Sequence, residues 1–210
     1  MKRIAAIITL LLCIALLPAC AKHEPEADLS KPHVTVSLSY ADGLKYAPSF
    51  AVWVEDEAGN TATLFATNKA ATGLKNRPEA LPVWSGLREA DAASGATPKD
   101  KTELTLNIPD EFAGKKLKVF IEANASYDYN DFYAEGLEEG AEGYNGVNGQ
   151  PSAIWIAEMD TAQSGSTTLE MTAASDVLGA DHDLHGTQNI TAPVLTDVKA
   201  EWELGQTSNF

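Results

Sequence analysis

Over short stretches of this chain, apolar residues recur at every second position. From His33 to Tyr40 the order HVTVSLSY puts Val34, Val36, Leu38 and Tyr40 on one side of an extended backbone and Thr35, Ser37 and Ser39 on the other. Successive side chains of a strand point to opposite faces, so a period of two predicts a strand with one buried face. The period returns at Phe50/Val52/Val54, Leu104/Leu106/Ile108, Leu117/Val119/Ile121, Ile154/Ile156 and Leu169/Met171, and at Val194/Thr196/Val198/Ala200/Trp202/Leu204. Residues 60–67, NTATLFAT, form a further candidate strand. It is reached through Glu57-Ala-Gly-Asn60, whose residue types predict a hairpin turn. About eight short strands with no long amphipathic helix between them predict an all-β fold, an antiparallel immunoglobulin-like β-sandwich over residues 33–210.

Two stretches, roughly 68–102 and 124–150, lack the period and read as long loop insertions. Connections of that length in a compact domain are functional or disordered, and their Trp and Tyr content argues against plain disorder. Trp53, Trp84 and Trp155 lie in or beside apolar runs and are expected in the core. Tyr127, Tyr129, Phe132 and Tyr133 cluster in the second insertion.

The start of the chain follows a different rule. Lys2 and Arg3 precede an apolar run from Ile4 to Leu17, which ends at Pro18-Ala19-Cys20. A basic start, a short apolar core and small residues before a cleavage point predict a signal peptide over residues 1–19, too short to span a bilayer. Leu17-Pro18-Ala19-Cys20 resembles the bacterial lipobox. That resemblance implies an acylated Cys20 as the new N-terminus and a lipoprotein held on a membrane outside the cytoplasm. Residues 20–32, polar and bearing Pro25 and Pro32, are expected to be its flexible tether. Cys13 lies in the segment to be removed, so the mature chain has no intramolecular disulfide and depends on its core alone.

The full chain of 210 residues carries 30 acidic and 15 basic side chains, a net charge of −15. Residues 1–19 hold two of the bases and none of the acids, so their loss takes the charge to −17. Such a balance excludes nucleic acid as a natural partner and favours a soluble domain that stands off an anionic lipid surface.

Familiar catalytic spellings are missing from the sequence: it has no Gly-x-Ser-x-Gly elbow, no Gly-rich phosphate loop and no His-Glu-x-x-His. One chemical motif stands out, Asp91-Ala92-Ala93-Ser94-Gly95-Ala96-Thr97. It resembles the flavinylation motif of extracytoplasmic flavoproteins, Asp-x-x-(Ser/Thr)-Gly-Ala-(Ser/Thr). In those proteins a flavin transferase joins the phosphate of FMN to the last hydroxyl. With average residue frequencies, its five fixed positions would coincide in a chain this long roughly once in a thousand random cases. Gly95 and Ala96 leave the backbone uncrowded, and Pro98 pushes Thr97 toward an extended conformation that presents its hydroxyl.

A wider resemblance joins this motif to Tyr46-Ala-Pro-Ser-Phe-Ala-Val-Trp-Val-Glu-Asp-Glu57, Arg77-Pro-Glu-Ala-Leu-Pro-Val-Trp84, Glu122-Ala-Asn-Ala-Ser-Tyr-Asp128 and Val147-Asn-Gly-Gln-Pro-Ser152. Together they resemble the DUF2271 family of predicted periplasmic proteins, which occur in flavin-linked electron-transfer settings. The resemblance implies an extracytoplasmic electron-transfer module with covalent FMN on Thr97, and Asp91, Ser94, Gly95 and Ala96 shaping the attachment loop. Its partners would be a flavin transferase and a redox protein of the membrane. The competing expectation is a non-catalytic binding module whose long loops meet a protein or glycan. Two further clusters read as solvated loops. Asp181-His182-Asp183-Leu184-His185 has imidazoles at a spacing that Zn²⁺ or Cu²⁺ accepts, and Asp128, Asn130 and Asp131 with Glu138, Glu139 and Glu142 offer oxygens to Ca²⁺, but neither spacing is diagnostic.

Overall fold

The computed structural model describes residues 27–73, 78–87, 94–95, 102–191 and 193–205. Cys20, Asp91, Ala96 and Thr97 lie outside the described residues; Ser94 and Gly95 are described by their backbone.

The chain folds as an all-β sandwich. A four-stranded sheet contains β1 (His33–Tyr40), β5 (Thr102–Asn107), β8 (Gly165–Thr168) and β10 (Leu195–Glu203), in the order β5-β1-β10-β8. A six-stranded sheet contains β2 (Ser49–Asp56), β3 (Thr61–Thr67), β4 (Ser94–Gly95), β6 (Lys116–Asn124), β7 (Ala153–Asp160) and β9 (Glu170–Ala174), in the order β4-β3-β2-β6-β7-β9. Every pairing is antiparallel except β3 with β4, which is parallel.

The alternating residues meet between the sheets. Val34, Val36 and Leu38 of β1 and Val198, Ala200 and Trp202 of β10 face Phe50, Val52, Val119, Ile121 and Trp155 in one buried cluster. Each fully buried side chain of this size contributes roughly 1.5–3 kcal/mol from apolar transfer. The β2–β3 hairpin forms where the sequence predicts it. Gly59 adopts φ 81° in the turn, and the Asp56 carboxylate accepts from the N–H groups of Ala58 and Asn60. The Asn60 side-chain amide, then the Lys115 ammonium 2.8 Å away, hold this carboxyl well below the usual carboxylate range.

The β10 alternation does not run unbroken. Leu195 and Val198 are buried, Thr196 and Asp197 are exposed, and Asp197 has φ 53° where the pairing with β1 shifts register between Ser37 and Ser39. The extra residue moves the inward face by one position, so Thr196 leaves the core that strict alternation assigned to it; Leu204, past the strand end, is exposed too.

The first insertion is a cover. Within it, α1 (Asn68–Gly73) and α2 (Pro82–Gly86) lead to a second apolar cluster on the outer face of the six-stranded sheet. Trp53 stacks on Phe120 with centroids 5.0 Å apart and planes 4° apart, and Leu81, Val83 and Trp84 close over them. The Trp84 indole N–H donates to Thr63 Oγ1 at 3.0 Å. All three tryptophans expected in the core are buried, Trp155 between the sheets and Trp53 and Trp84 in this second layer. Within the expected tether, Asp28 exchanges hydrogen bonds with Asn107, and the Pro32 carbonyl accepts from Ile108. Among the described residues no helix is long and apolar enough to cross a membrane.

Candidate functional site

Candidate side chains gather around one end of the six-stranded sheet, where β2 begins, β3 ends and β6 ends. Ser49 of β2 lies opposite Asn124 of β6, and Thr67 closes β3 beside Phe50, whose N–H donates to its hydroxyl at 3.2 Å. Strand direction therefore brings three loops together: the one before β2, the start of α1, and the second insertion after β6.

β4 belongs to the same end. The middle of the Asp91–Thr97 motif is laid along the sheet edge, with Ser94 opposite Ala66 and Gly95 opposite Thr67. Because this pairing is parallel, β4 points the same way as β3, toward the start of α1. Of the predicted attachment residues, the structure thus fixes the backbone of Ser94 and Gly95; Asp91, Ala96 and Thr97 lie outside the described residues.

Beneath this end lies a buried carboxylate. Glu122 is fully buried, and its oxygens accept from Trp84 N–H at 2.7 Å, Val83 N–H at 3.3 Å and Ser152 Oγ–H at 2.5 Å. Pro82 opens α2, so Val83 and Trp84 carry the first amides left without a partner inside the helix. A side chain of β6 thus caps the segment that precedes the motif. Burial pushes the Glu122 carboxyl up to about 7, against the opposing pull of these three donors. The period of β6 alone assigns Glu122 to solvent. Phe120 on the same face and Trp53 on the neighbouring β2 are apolar hints in the sequence that this outer face is covered.

The second insertion is organised around polar side chains. Asp128 accepts from the backbone N–H and side-chain amide of Gln150, and burial pushes its carboxyl up to about 7. Asn130 accepts from Phe132 and Tyr133 N–H and donates to Gln150 Oε1 and to the Asn189 carbonyl. Asp128 and Asn130, two of the conceivable Ca²⁺ ligands, are therefore spent on holding the loop. Tyr133 is buried, whereas Tyr127 is exposed and packs on Tyr46, and the half-buried Tyr129 meets Tyr127 edge-on while its hydroxyl donates to the Gly146 carbonyl. The Lys45 ammonium lies 4.5 Å from the centre of the Tyr127 ring.

Of the two histidines weighed for Zn²⁺ or Cu²⁺, His182 is engaged with the Pro82 carbonyl at 2.7 Å. His185 meets Asp181 at 2.8 Å, and with Asp176 these groups place one ligand atom each within 4.8 Å of one another. The two histidines therefore do not converge on one point. The Asp181 hydrogen bond holds the His185 pKa above its ordinary value.

The class defined by this architecture is an all-β sandwich with a second apolar layer and a polar, aromatic loop end. No family model, curated protein or solved structure matches the chain.

Proposed function

We propose that this chain is an exported lipoprotein, anchored outside the cytoplasm through Cys20, that carries FMN on Thr97 as an electron-transfer module for a membrane redox partner. The single observation that carries this reading is the complete Asp91-Ala-Ala-Ser-Gly-Ala-Thr97 spelling in a chain that begins with an export signal and lipobox. It stands on those two features together, independently of the DUF2271 resemblance.

The described surroundings fit such a loop. Ser94 and Gly95 lie at the outermost position of the six-stranded sheet, with β3 on one side and no strand among the described residues on the other. An edge strand keeps one flank of its backbone free of ladder pairing, the side on which a transferase would approach. Attachment forms a bond from the Thr97 hydroxyl oxygen to the phosphorus of the FMN moiety of FAD. The pyrophosphate bond breaks, AMP departs, and the hydroxyl proton passes to a base of the transferase. Bound FMN supplies one- or two-electron transfer, and the protein supplies position and electrostatics. A covalent link keeps the cofactor from dilution outside the cytoplasm and holds it at high effective concentration.

The test is coexpression of the exported protein with a flavin transferase, followed by denaturing electrophoresis. A flavin-fluorescent band is expected for the native sequence and its loss in Thr97→Ala. A dark native band, or a fluorescent Thr97→Ala band, overturns the assignment.

A further inference from the structure

At the loop end of the six-stranded sheet, Tyr46 and Tyr127 are 47% and 38% exposed. Scattered exposed aromatics are ordinary on a protein surface, but these are contiguous. Tyr46 and Tyr127 have ring centroids 5.7 Å apart, and Tyr129 meets Tyr127 edge-on at 6.2 Å. Tyr46 comes from the loop before β2, and Tyr127 and Tyr129 come from the loop after β6, so the patch is assembled by the fold.

Backbone strain holds one ring in place. Tyr127 has φ 67°, a left-handed conformation that is unfavourable for a bulky residue and persists only where its surroundings impose it. Its N–H donates to the Val147 carbonyl at 2.9 Å, and Asp128 next to it bridges to Gly149. This geometry keeps an apolar ring at the surface, where burial would ordinarily be favoured.

Cations frame the rings. Lys45 Nζ lies 4.5 Å from the Tyr127 centroid and 5.8 Å from that of Tyr46, and Lys69 Nζ lies 5.9 Å from Tyr46. The chain has two acidic side chains for every basic one, yet neither lysine forms an ion pair with a carboxylate among the described residues. Rings offer a π surface to a flat ligand, and ammonium groups beside them favour an anion.

We infer that Tyr46, Tyr127 and Tyr129, with Lys45 and Lys69, form a binding platform for a planar aromatic ligand bearing negative charge, the isoalloxazine and phosphate of FMN. Identifying the ligand as FMN rests on the proposed function; the ring-and-cation geometry does not. Location favours this occupant. Gly95 is in register with Thr67, and Lys69 follows Thr67 by two residues, so the Ser94–Gly95 part of the motif and the platform share one end of the sheet.

The coexpressed, flavinylated protein and the unmodified protein test the platform separately from the attachment. With flavin attached, fluorescence is expected to be quenched in the native protein by ring stacking and to recover in the Tyr46→Ala/Tyr127→Ala variant. Attached flavin of equal intensity in the two overturns the platform and leaves the attachment standing. If no flavin is attached, the attachment reading fails, and titration of free FMN into the unmodified protein decides the platform. Saturable quenching with a Kd below about 1 mM, the effective concentration of a short tether, supports it. Tyr127→Ala and Lys45→Ala should then weaken binding roughly tenfold, the loss expected for one stacked ring or one paired charge. No saturation by about 1 mM, or equal affinity in the variants, overturns it. Tyr127→Phe keeps the ring and should behave as the native protein. Lys45→Ala, which removes no core contact, keeps the test decisive if a tyrosine variant loses its circular dichroism.

Discussion

Glu122 shows how far a single residue departs from what its position in the sequence suggests. Lys118, Phe120, Glu122 and Asn124 share one face of β6, which by period alone is the solvent face, yet Phe120 and Glu122 are buried beside α2, and Asn124 is buried where its amide donates to the Gln150 carbonyl. The carboxyl is raised from 4.5 to about 7 by burial, and the sign of the consequence follows. Below pH 4.5 it is protonated in the folded and unfolded chains alike. Between 4.5 and about 7 the unfolded chain releases the proton while the folded chain keeps it, so stability falls as pH rises; above about 7 both are ionised and the loss is complete. A shift of this size corresponds to about 3 kcal/mol. Asp128 and His185, both raised, add slope of the same sign. Urea unfolding should therefore give a higher free energy at pH 5 than at pH 7.5, and Glu122→Gln should remove a large share of the difference, Asp128 carrying a comparable share. An unchanged slope in Glu122→Gln would show that its folded-state carboxyl is not displaced.

Among the elements, β1, β2, β3 and β6 were legible because one face of each carries uninterrupted apolar residues. β8, GSTT, and β4, the Ser-Gly pair, were not. Neither contains an apolar residue, so no periodicity marks them, and each exists because a neighbouring edge supplies backbone partners. In β8 the pairing also dictates a residue type. Gly165 lies opposite Trp202, and a Cβ at Gly165 would sit 2.6 Å from the indole Cζ2, whose ring is fixed by two hydrogen bonds from its N–H to the Asp160 and Gln163 carbonyls. The indole has little freedom to retreat. Gly165→Ala should therefore destabilise the fold by roughly 1–3 kcal/mol, read as a lower midpoint in thermal or urea unfolding. A variant as stable as the native protein would mean that Trp202 moves more easily than its hydrogen bonds imply.

At the scale of the whole molecule, the first and last strands are partners. β10 lies between β1 and β8 at the centre of the four-stranded sheet, so the chain cannot complete that sheet until its C-terminal part is present. A chain ending at Pro193 should lack a cooperative unfolding transition, checked by near-ultraviolet circular dichroism during denaturation; a sharp transition would show that the six-stranded sheet and its cover fold alone. The sequence by itself determined the fold class, because burying one face of many short strands without helices leaves a sandwich as the natural solution. It also carries the Asp91–Thr97 and Leu17–Cys20 spellings on which the proposed attachment and anchoring rest, and those readings depend on local residue order alone. Tertiary structure decided the rest. It covered the outer face of the larger sheet, turned Glu122 into a buried cap, and shifted β10 by one residue at Asp197. It also drew Tyr46, Tyr127 and Lys69 from three separate segments to one end of the sheet. These outcomes depend on which surfaces meet, and periodicity within a strand specifies a buried face without specifying what buries it.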